Sequence, residues 1–257
     1  MSFQPIQGVQ VTPFNQTYLV FNSLSRGEVG RLCLDLLINN NDVRKIGYYR
    51  SKFIADKVQI SNLQGKYQLL LSAELYQYKQ YTFLQIRSGC FEGRKKQFLE
   101  EIHDFVSQNS FKSLIFLSSL PISDRPDFEI NSPTPNTYYY GNPKFEQLQS
   151  KEQILNLSQF KNINLIKRED QEIHDVLYGS GLSYHFSKRK EFADFSFCAL
   201  LIYAQPGSDL VGAARLLQQF IHAQADQAAY KPLTFQEKDI TKNISYSLDS
   251  VVILHDE

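Results

Sequence analysis

The chain has 257 residues, enough for one large domain or one domain with a sizeable insertion. Lys plus Arg and Asp plus Glu each number 27, so the formal net charge is zero and the usual electrostatic argument for nucleic-acid or anionic-membrane binding is absent. No run approaches the roughly 18 apolar residues of a membrane span, the start MSFQPIQGVQ has no secretion-signal pattern, and three scattered cysteines fit a reducing compartment. The expectation is therefore a soluble, unexported protein of the cytosol or nucleus, with no nucleic acid and no membrane among its partners.

In chain order, Thr17 to Asn22 (TYLVFN) reads as a first strand, rich in β-branched and aromatic residues. Ser25 to Tyr49 follows as a glycine-punctuated turn, a helix and a second strand at Lys45 to Tyr49. Val29, Leu32, Cys33, Leu36 and Leu37 fall on one helical face, while Arg31, Asp35 and Asn39 point away. The result is a βαβ unit. Tyr67 to Arg87 carries two alternating stretches broken at Lys79 and Gln80, which predicts an antiparallel hairpin and so a mixed sheet. Phe98, Ile102, Phe105 and Val106 give a second helix leading into a buried-type strand at Ser113 to Leu117.

From Pro121 to Pro143 five prolines argue against any regular element, although Tyr138, Tyr139 and Tyr140 lie inside this excursion. Three adjacent aromatics cannot all face one core. They either form an interface patch, since Tyr offers large contact area at low entropy cost, or lie back over their own domain. A helix is expected over Ser150 to Phe160, then a solvated connector of mixed charge. Gly179, Ser180 and Gly181 precede a short helical run from Leu182 to Lys188. Phe195 to Ala204 reads as a continuous apolar strand, and Leu210, Ala213, Ala214, Leu217 and Ile221 as the apolar face of a helix with Ser208 as its N-cap. The final apolar run, Val251 to Leu254, reads as a last strand, with a docking peptide as the alternative. The chain as a whole, residues 1–257, reads as a single α/β domain.

Chemistry is scarce along this path. His103, His174, His185, His222 and His255 show no HxH, HxxxH or HExxH spacing, and with scattered cysteines no metal site is expected. Gly27 and Gly30 form only GxxG, neither a dinucleotide nor a nucleoside-triphosphate fingerprint, so no cofactor is expected. Gly179 to Gly181 does not satisfy GxSxG. Cys90 is the one thiol outside a strong apolar pattern, and only a lowered pKa would make it a nucleophile. GRKK at Gly93 to Lys96 is the strongest basic cluster. It opens a helix and is followed by Glu100 and Glu101, so a solvated face is the simpler reading. No catalytic residues are expected.

Four segments in this order resemble the proteasome assembly chaperone 2 family, or PAC2-like superfamily: GEVGRLCLDLLI followed by KIGYY; LSAELYQY followed by FLQIRS; the helix leading into SLIFLSS; and CALLIYAQPGSDLVGAARLLQQFI. They extend from about Val20 to Ile221. The resemblance implies an α/β fold with a mixed sheet flanked by helices on both faces, a nucleoside-phosphorylase-like three-layer sandwich used without catalysis. It also implies a heterodimer with a subunit-1-type chaperone, seated on the α-ring of the proteasome core particle through the proteasome α subunits. Some relatives end in a hydrophobic residue, Tyr and any residue, whose carboxylate docks between α subunits. This chain ends His255, Asp256, Glu257, which implies that tail insertion falls to the partner. Tyr138, Tyr139, Tyr140, Ile253 and Leu254 are the candidate partner-binding residues. The alternative is a small-molecule enzyme on a phosphorylase- or hydrolase-like fold, with the turns at Ser25 to Gly30 and Gly179 to Gly181 facing one pocket. A self-associating interaction module is a third reading.

Overall fold

The computed structural model describes residues 3–40, 43–63, 66–130, 136–163, 176–223 and 251–252. Its centre is a strand pair set by two largely apolar runs of the sequence. β2 (Tyr18–Asn22) and β8 (Leu114–Pro121) are buried at every position and run parallel, with Val20 opposite Ile115. Strands covered on both faces carry no polar alternation, as their sequences show. β11 (Phe197–Ala204) pairs parallel on the far side of β8, and β7 (Tyr81–Ile86) parallel on the far side of β2.

β6 (Ala73–Tyr78) and β7 form the expected antiparallel hairpin, and β3 (Arg44–Tyr49) and β1 (Phe3–Pro5) extend that side. On the other side β9 (Thr137–Gly141) runs antiparallel to β11 and carries β10 (Lys161–Asn162). The order of the nine-stranded sheet is β1-β3-β6-β7-β2-β8-β11-β9-β10. The crossover from β2 to β3 is parallel, with the β6–β7 hairpin inserted between its two strands.

Helices cover both faces, as expected. α1 (Val29–Asn40) lies on one face and α2 (Lys95–Gln108) on the other. The α1 face buries Val29, Leu32, Cys33, Leu36 and Leu37 against Val20, Ile115, Leu117 and Leu200. α2 buries Phe98, Leu99, Ile102, Phe105 and Val106 against Leu19, Phe21 and Phe116. Two short helices, α3 (Asp127–Ile130) and α4 (Pro143–Glu152), flank β9. α5 (Leu182–Ser187) joins α2, and α6 (Leu210–His222) packs beside α1.

The structure departs from the sequence reading in four places. The stretch Tyr67 to Tyr78 is two strands, because Ser72 makes a corner: its hydroxyl accepts from Lys57 N at 2.6 Å. β5 (Lys66–Leu71) leaves the main sheet there and pairs along its full length with β4 (Val58–Leu63). β12 (Val251–Val252) lies antiparallel on the other edge of β4. The run Val251 to Leu254 thus begins in a strand, while Ile253 and Leu254 lie outside the described residues.

Secondly, β9 forms inside the proline-rich excursion, because its backbone partners come from β11, more than fifty residues on in sequence. Thirdly, the helix expected over Ser150 to Phe160 is α4, seven residues earlier at its start. Asn142 Oδ1 accepts from Phe145 N at 2.9 Å and Pro143 takes the first helical position, the two residues best suited to open a helix.

Fourthly, the N-cap of α6 is Asp209, whose Oδ1 accepts from Gly212 N at 2.8 Å. Ser208 instead donates to Glu28 Oε2 at 3.1 Å. Asp209→Ala is expected to lower stability by about 1 kcal/mol, and Ser208→Ala by much less. Urea unfolding of the two variants checks this, and a larger loss for Ser208→Ala would return the cap to Ser208.

Candidate functional site

In open α/β sheets ligands bind beyond the carboxyl ends of the strands, where neighbouring connections leave in opposite directions. Here that position lies between β2 and β8: the chain leaves β2 toward β3, and leaves β8 toward β9 and β11. The two glycine turns of the sequence do meet there. Leu182 N donates to Ser23 O at 2.6 Å, which ties the turn before α5 to the end of β2.

The crevice is filled by serines. Ser23 and Ser118 hydroxyls both donate to Ser180 O at 2.6 Å, and Ser183 N donates to Ser23 Oγ at 2.8 Å. Ser183 Oγ also lies 3.1 Å from Ser118 Oγ and 2.8 Å from Ser180 Oγ. Beside them Ser119 N donates to Ser25 Oγ at 2.9 Å, and the Ser119 hydroxyl reaches both Ser25 Oγ and Arg26 O. Ser23, Ser118, Ser119, Ser180 and Ser183 are fully buried. Their partners are one another and main-chain groups, so among the described residues no base is placed to take a hydroxyl proton, as a nucleophilic serine requires.

Two glycines permit this closure. A Cβ on Gly30 would stand 2.2 Å from Leu117 O, so α1 touches β8 backbone to side. Gly181 adopts φ +72°, and a Cβ there would stand 2.2 Å from Ser23 O. The two βα joints also clasp one another, with Asp209 N donating to Gly27 O at 2.8 Å. These turns hold helices and sheet at contact distance through the glycine positions themselves.

The thiols offer no nucleophile. Burial pushes the Cys33 and Cys198 thiols well above their ordinary range. It pushes Cys90 up to about 11, with Lys95 pulling weakly the other way, so all three are protonated at neutral pH. Among the described residues no group of three or more His, Cys, Asp or Glu is placed to hold a metal ion, and no helix is long and apolar enough to cross a membrane.

Charge is instead spent inside the fold. Glu74 of β6 is fully buried, and its carboxylate receives Lys45 and Arg87, the Tyr76 hydroxyl at 2.8 Å and Leu71 N at 3.2 Å. Arg87 reaches on to Asp35 at 3.1 Å, and Asp35 to Arg31 at 3.2 Å. Burial works against the Arg87 charge, but the Asp35 and Glu74 carboxylates overcome it and raise the guanidinium above its ordinary range. The network locks α1 to β7, β6 and β3. The spacing of Arg31 and Asp35 on α1 was legible as a polar face, whereas nothing in LSAELYQY marks Glu74 as its buried centre.

The candidate surface residues fall as follows. Tyr138 lies on the α2 face of β9, 1% exposed, with its ring edge-on to Tyr203 at 5.7 Å. Tyr140 shares that face and packs on Phe197, also at 5.7 Å between ring centres. Tyr139 points to the α1 face and its hydroxyl accepts from Asn162 Nδ2 at 3.2 Å. The alternation is that of a strand, and the tyrosines lie over their own domain, Tyr139 and Tyr140 half-buried.

Exposed apolar area lies elsewhere. Ile60 and Leu69 face each other across β4 and β5 and are 47% and 58% exposed. Below them a groove of about 1000 Å³ runs between the β4–β5 hairpin and the edge of the main sheet, lined by Tyr48, Lys52, Ile54, Lys57, Val58 and Leu71 among others.

The PAC2 family profile matches residues 23–227. The chain belongs to the PAC2 family. Proteasome assembly chaperone 2 of Nematostella vectensis is 26% identical over 223 residues, 82% of this chain and 90% of that protein. The Homo sapiens protein of the same description is 25% identical over 207 residues, 78% of each chain. Among solved structures, an archaeal homologue of proteasome-assembly chaperone from Pyrococcus furiosus superposes with a TM-score of 0.58 at 16% identity, covering 92% of this chain and 90% of that one. At that identity the likeness speaks for the fold, and the fold is the mixed α/β architecture of the family's solved members. The matched span takes in both clasped βα joints, the serine-filled crevice and the Glu74 network.

Proposed function

We propose that this chain is a non-catalytic proteasome assembly chaperone, which pairs with a subunit-1-type chaperone and binds the α-ring of the proteasome core particle through its α subunits. One observation carries the reading: over about four fifths of its length the chain is similar to proteins described as proteasome assembly chaperone 2. The closed crevice supports it physically. A fold whose usual ligand position is packed with hydrogen-bonded serines has surfaces to offer and no pocket chemistry. The exposed Ile60–Leu69 pair on a two-stranded hairpin is apolar area of the kind that partners cover.

Affinity purification of the tagged full chain from a native lysate, read by mass spectrometry, is expected to recover a second chaperone of the family in equal amount together with proteasome α subunits. Recovery of the chain alone, or as a homodimer free of proteasome subunits, overturns the proposal.

A further inference from the structure

We propose that the surface where the start of α2 meets the end of α5 is a docking site for an acidic protein segment. Two basic clusters, Gly93-Arg-Lys-Lys96 and Lys188-Arg-Lys190, are far apart in sequence and come together there. Arg189 Nη1 donates to Lys96 O at 3.3 Å, and Lys95 and Lys188 both act on the charge of His185, so the two clusters share one neighbourhood. Arg94, Lys95, Lys96, Lys188 and Lys190 are all exposed.

The arrangement is unfavourable in the free protein. α2 opens on Arg94 with no side-chain cap and no acidic residue in its first turn, so Arg94, Lys95 and Lys96 crowd the positive end of a 14-residue helix. Helix starts favour acidic residues and disfavour basic ones. Arg189 is balanced by Glu100 at 3.1 Å and Glu191 at 2.8 Å. Among the described residues Arg94, Lys95 and Lys190 have no carboxylate partner, while Lys96 acts at a distance on Glu191, which Arg189 already holds. In a chain of zero net charge, so concentrated an excess of one sign calls for an anionic complement from outside.

Three features favour a protein over a phosphate polymer or a lipid surface. Glu92, Glu100 and Glu191 stand among the cations, and a continuous line of phosphates would meet them, whereas discrete side-chain carboxylates can avoid them. Tyr178, 63% exposed and edge-on to Tyr184 at 5.4 Å, and Phe91, 49% exposed, add apolar contact beside the charges. The zero net charge withholds the long-range attraction on which nucleic-acid and membrane binding lean. The inference deepens the proposed chaperone role by giving the chemistry of one contact. It rests on that role only for the identity of the partner, so the titration below fails or succeeds separately from the lysate experiment.

The test is fluorescence anisotropy of a short labelled poly-glutamate peptide against the full chain at increasing salt. Binding is expected to weaken steadily with salt, and the variant carrying Lys95→Ser, Lys96→Ser, Lys188→Ser and Lys190→Ser to lose about ten-fold in affinity. A control carrying Lys52→Ser, Lys144→Ser, Lys151→Ser and Lys161→Ser, which removes the same charge elsewhere, is expected to keep it. A poly-lysine peptide is expected not to bind, a comparison that needs no variant. Equal loss in patch and control variants overturns the site. Displacement of the peptide by an RNA oligonucleotide or by phosphatidylserine vesicles at lower concentration than unlabelled poly-glutamate overturns the choice of partner.

Discussion

Glu74→Ala is expected to destabilise the protein by about 3–5 kcal/mol, the range found when one member of a buried ion pair is removed. The loss exceeds that of a typical interaction because the carboxylate is fully buried and is shared by four donors from three segments. Without it the Arg87 guanidinium, itself buried, keeps Asp35 as its one ion-pair partner among the described residues, beside the Tyr76 hydroxyl. Lys45 is a quarter exposed and can turn to water, so Lys45→Ala should cost far less than Arg87→Ala. Glu74→Gln keeps the shape but removes the charge, and an intermediate loss of about 1.5–3 kcal/mol is expected.

The decisive comparison is the double replacement Glu74→Met with Arg87→Met. It leaves no buried charge of the pair without its partner and should be more stable than either single variant, since two apolar side chains of similar length often replace a buried pair without net loss. Denaturant midpoints of the four proteins measure this. A double variant as unstable as the sum of the singles would mean that the two charges are not coupled.

Much of this fold can be read from the sequence wherever one segment carries its own evidence. α1, α2 and α6 announce themselves by helical spacing, and β2, β8 and β11 by unbroken apolar runs, because each of these elements buries a face that its own residues define. A strand leading into a helix was legible both at Thr17 to Leu37 and at Phe195 to Ile221, but not that the two joints clasp one another. What escaped was everything assembled from a distance. β9 hides among prolines because β11 supplies its hydrogen bonds, and Ser72 turns a strand through a contact with Lys57.

The site followed the same rule. Glu74 reads as an outward carboxylate on a strand until Lys45, Asp35 and Arg87 are brought around it. Serines 23, 118, 180 and 183 lie in three separate segments, and each alone looks like a turn or strand-end residue. GRKK reads as a solvated helix start, and it becomes half of a patch only when α5 delivers Lys188 and Lys190 beside it. Tyr138 to Tyr140, conspicuous as a sequence, turn out to alternate between the two faces of the sheet, Tyr138 buried and its neighbours half-buried.

Four glycine-to-alanine replacements separate the two reasons for glycine at the closed crevice. Gly89 lies outside the left-handed region with nothing within 4 Å of an added Cβ, so Gly89→Ala should be neutral or stabilise by about 0.4–1 kcal/mol through the unfolded chain. Gly93 has φ +70° but equally open surroundings, so its variant isolates backbone strain, about 1–2 kcal/mol. Gly30 is helical, with Leu117 O 2.2 Å from the added carbon, so its variant isolates the steric term. α1 must move off β8, at about 1–3 kcal/mol or more. Gly181 combines φ +72° with Ser23 O at 2.2 Å and Leu24 O at 2.8 Å, and should be the worst, about 2–5 kcal/mol. Thermal or urea unfolding ranks the four. If Gly181→Ala and Gly30→Ala were as mild as Gly89→Ala, the crevice would have slack at its two tightest contacts, and the enzyme reading with a ligand between those turns would regain its ground. The expected order instead ties the glycines to close packing, which is what a scaffold needs of them.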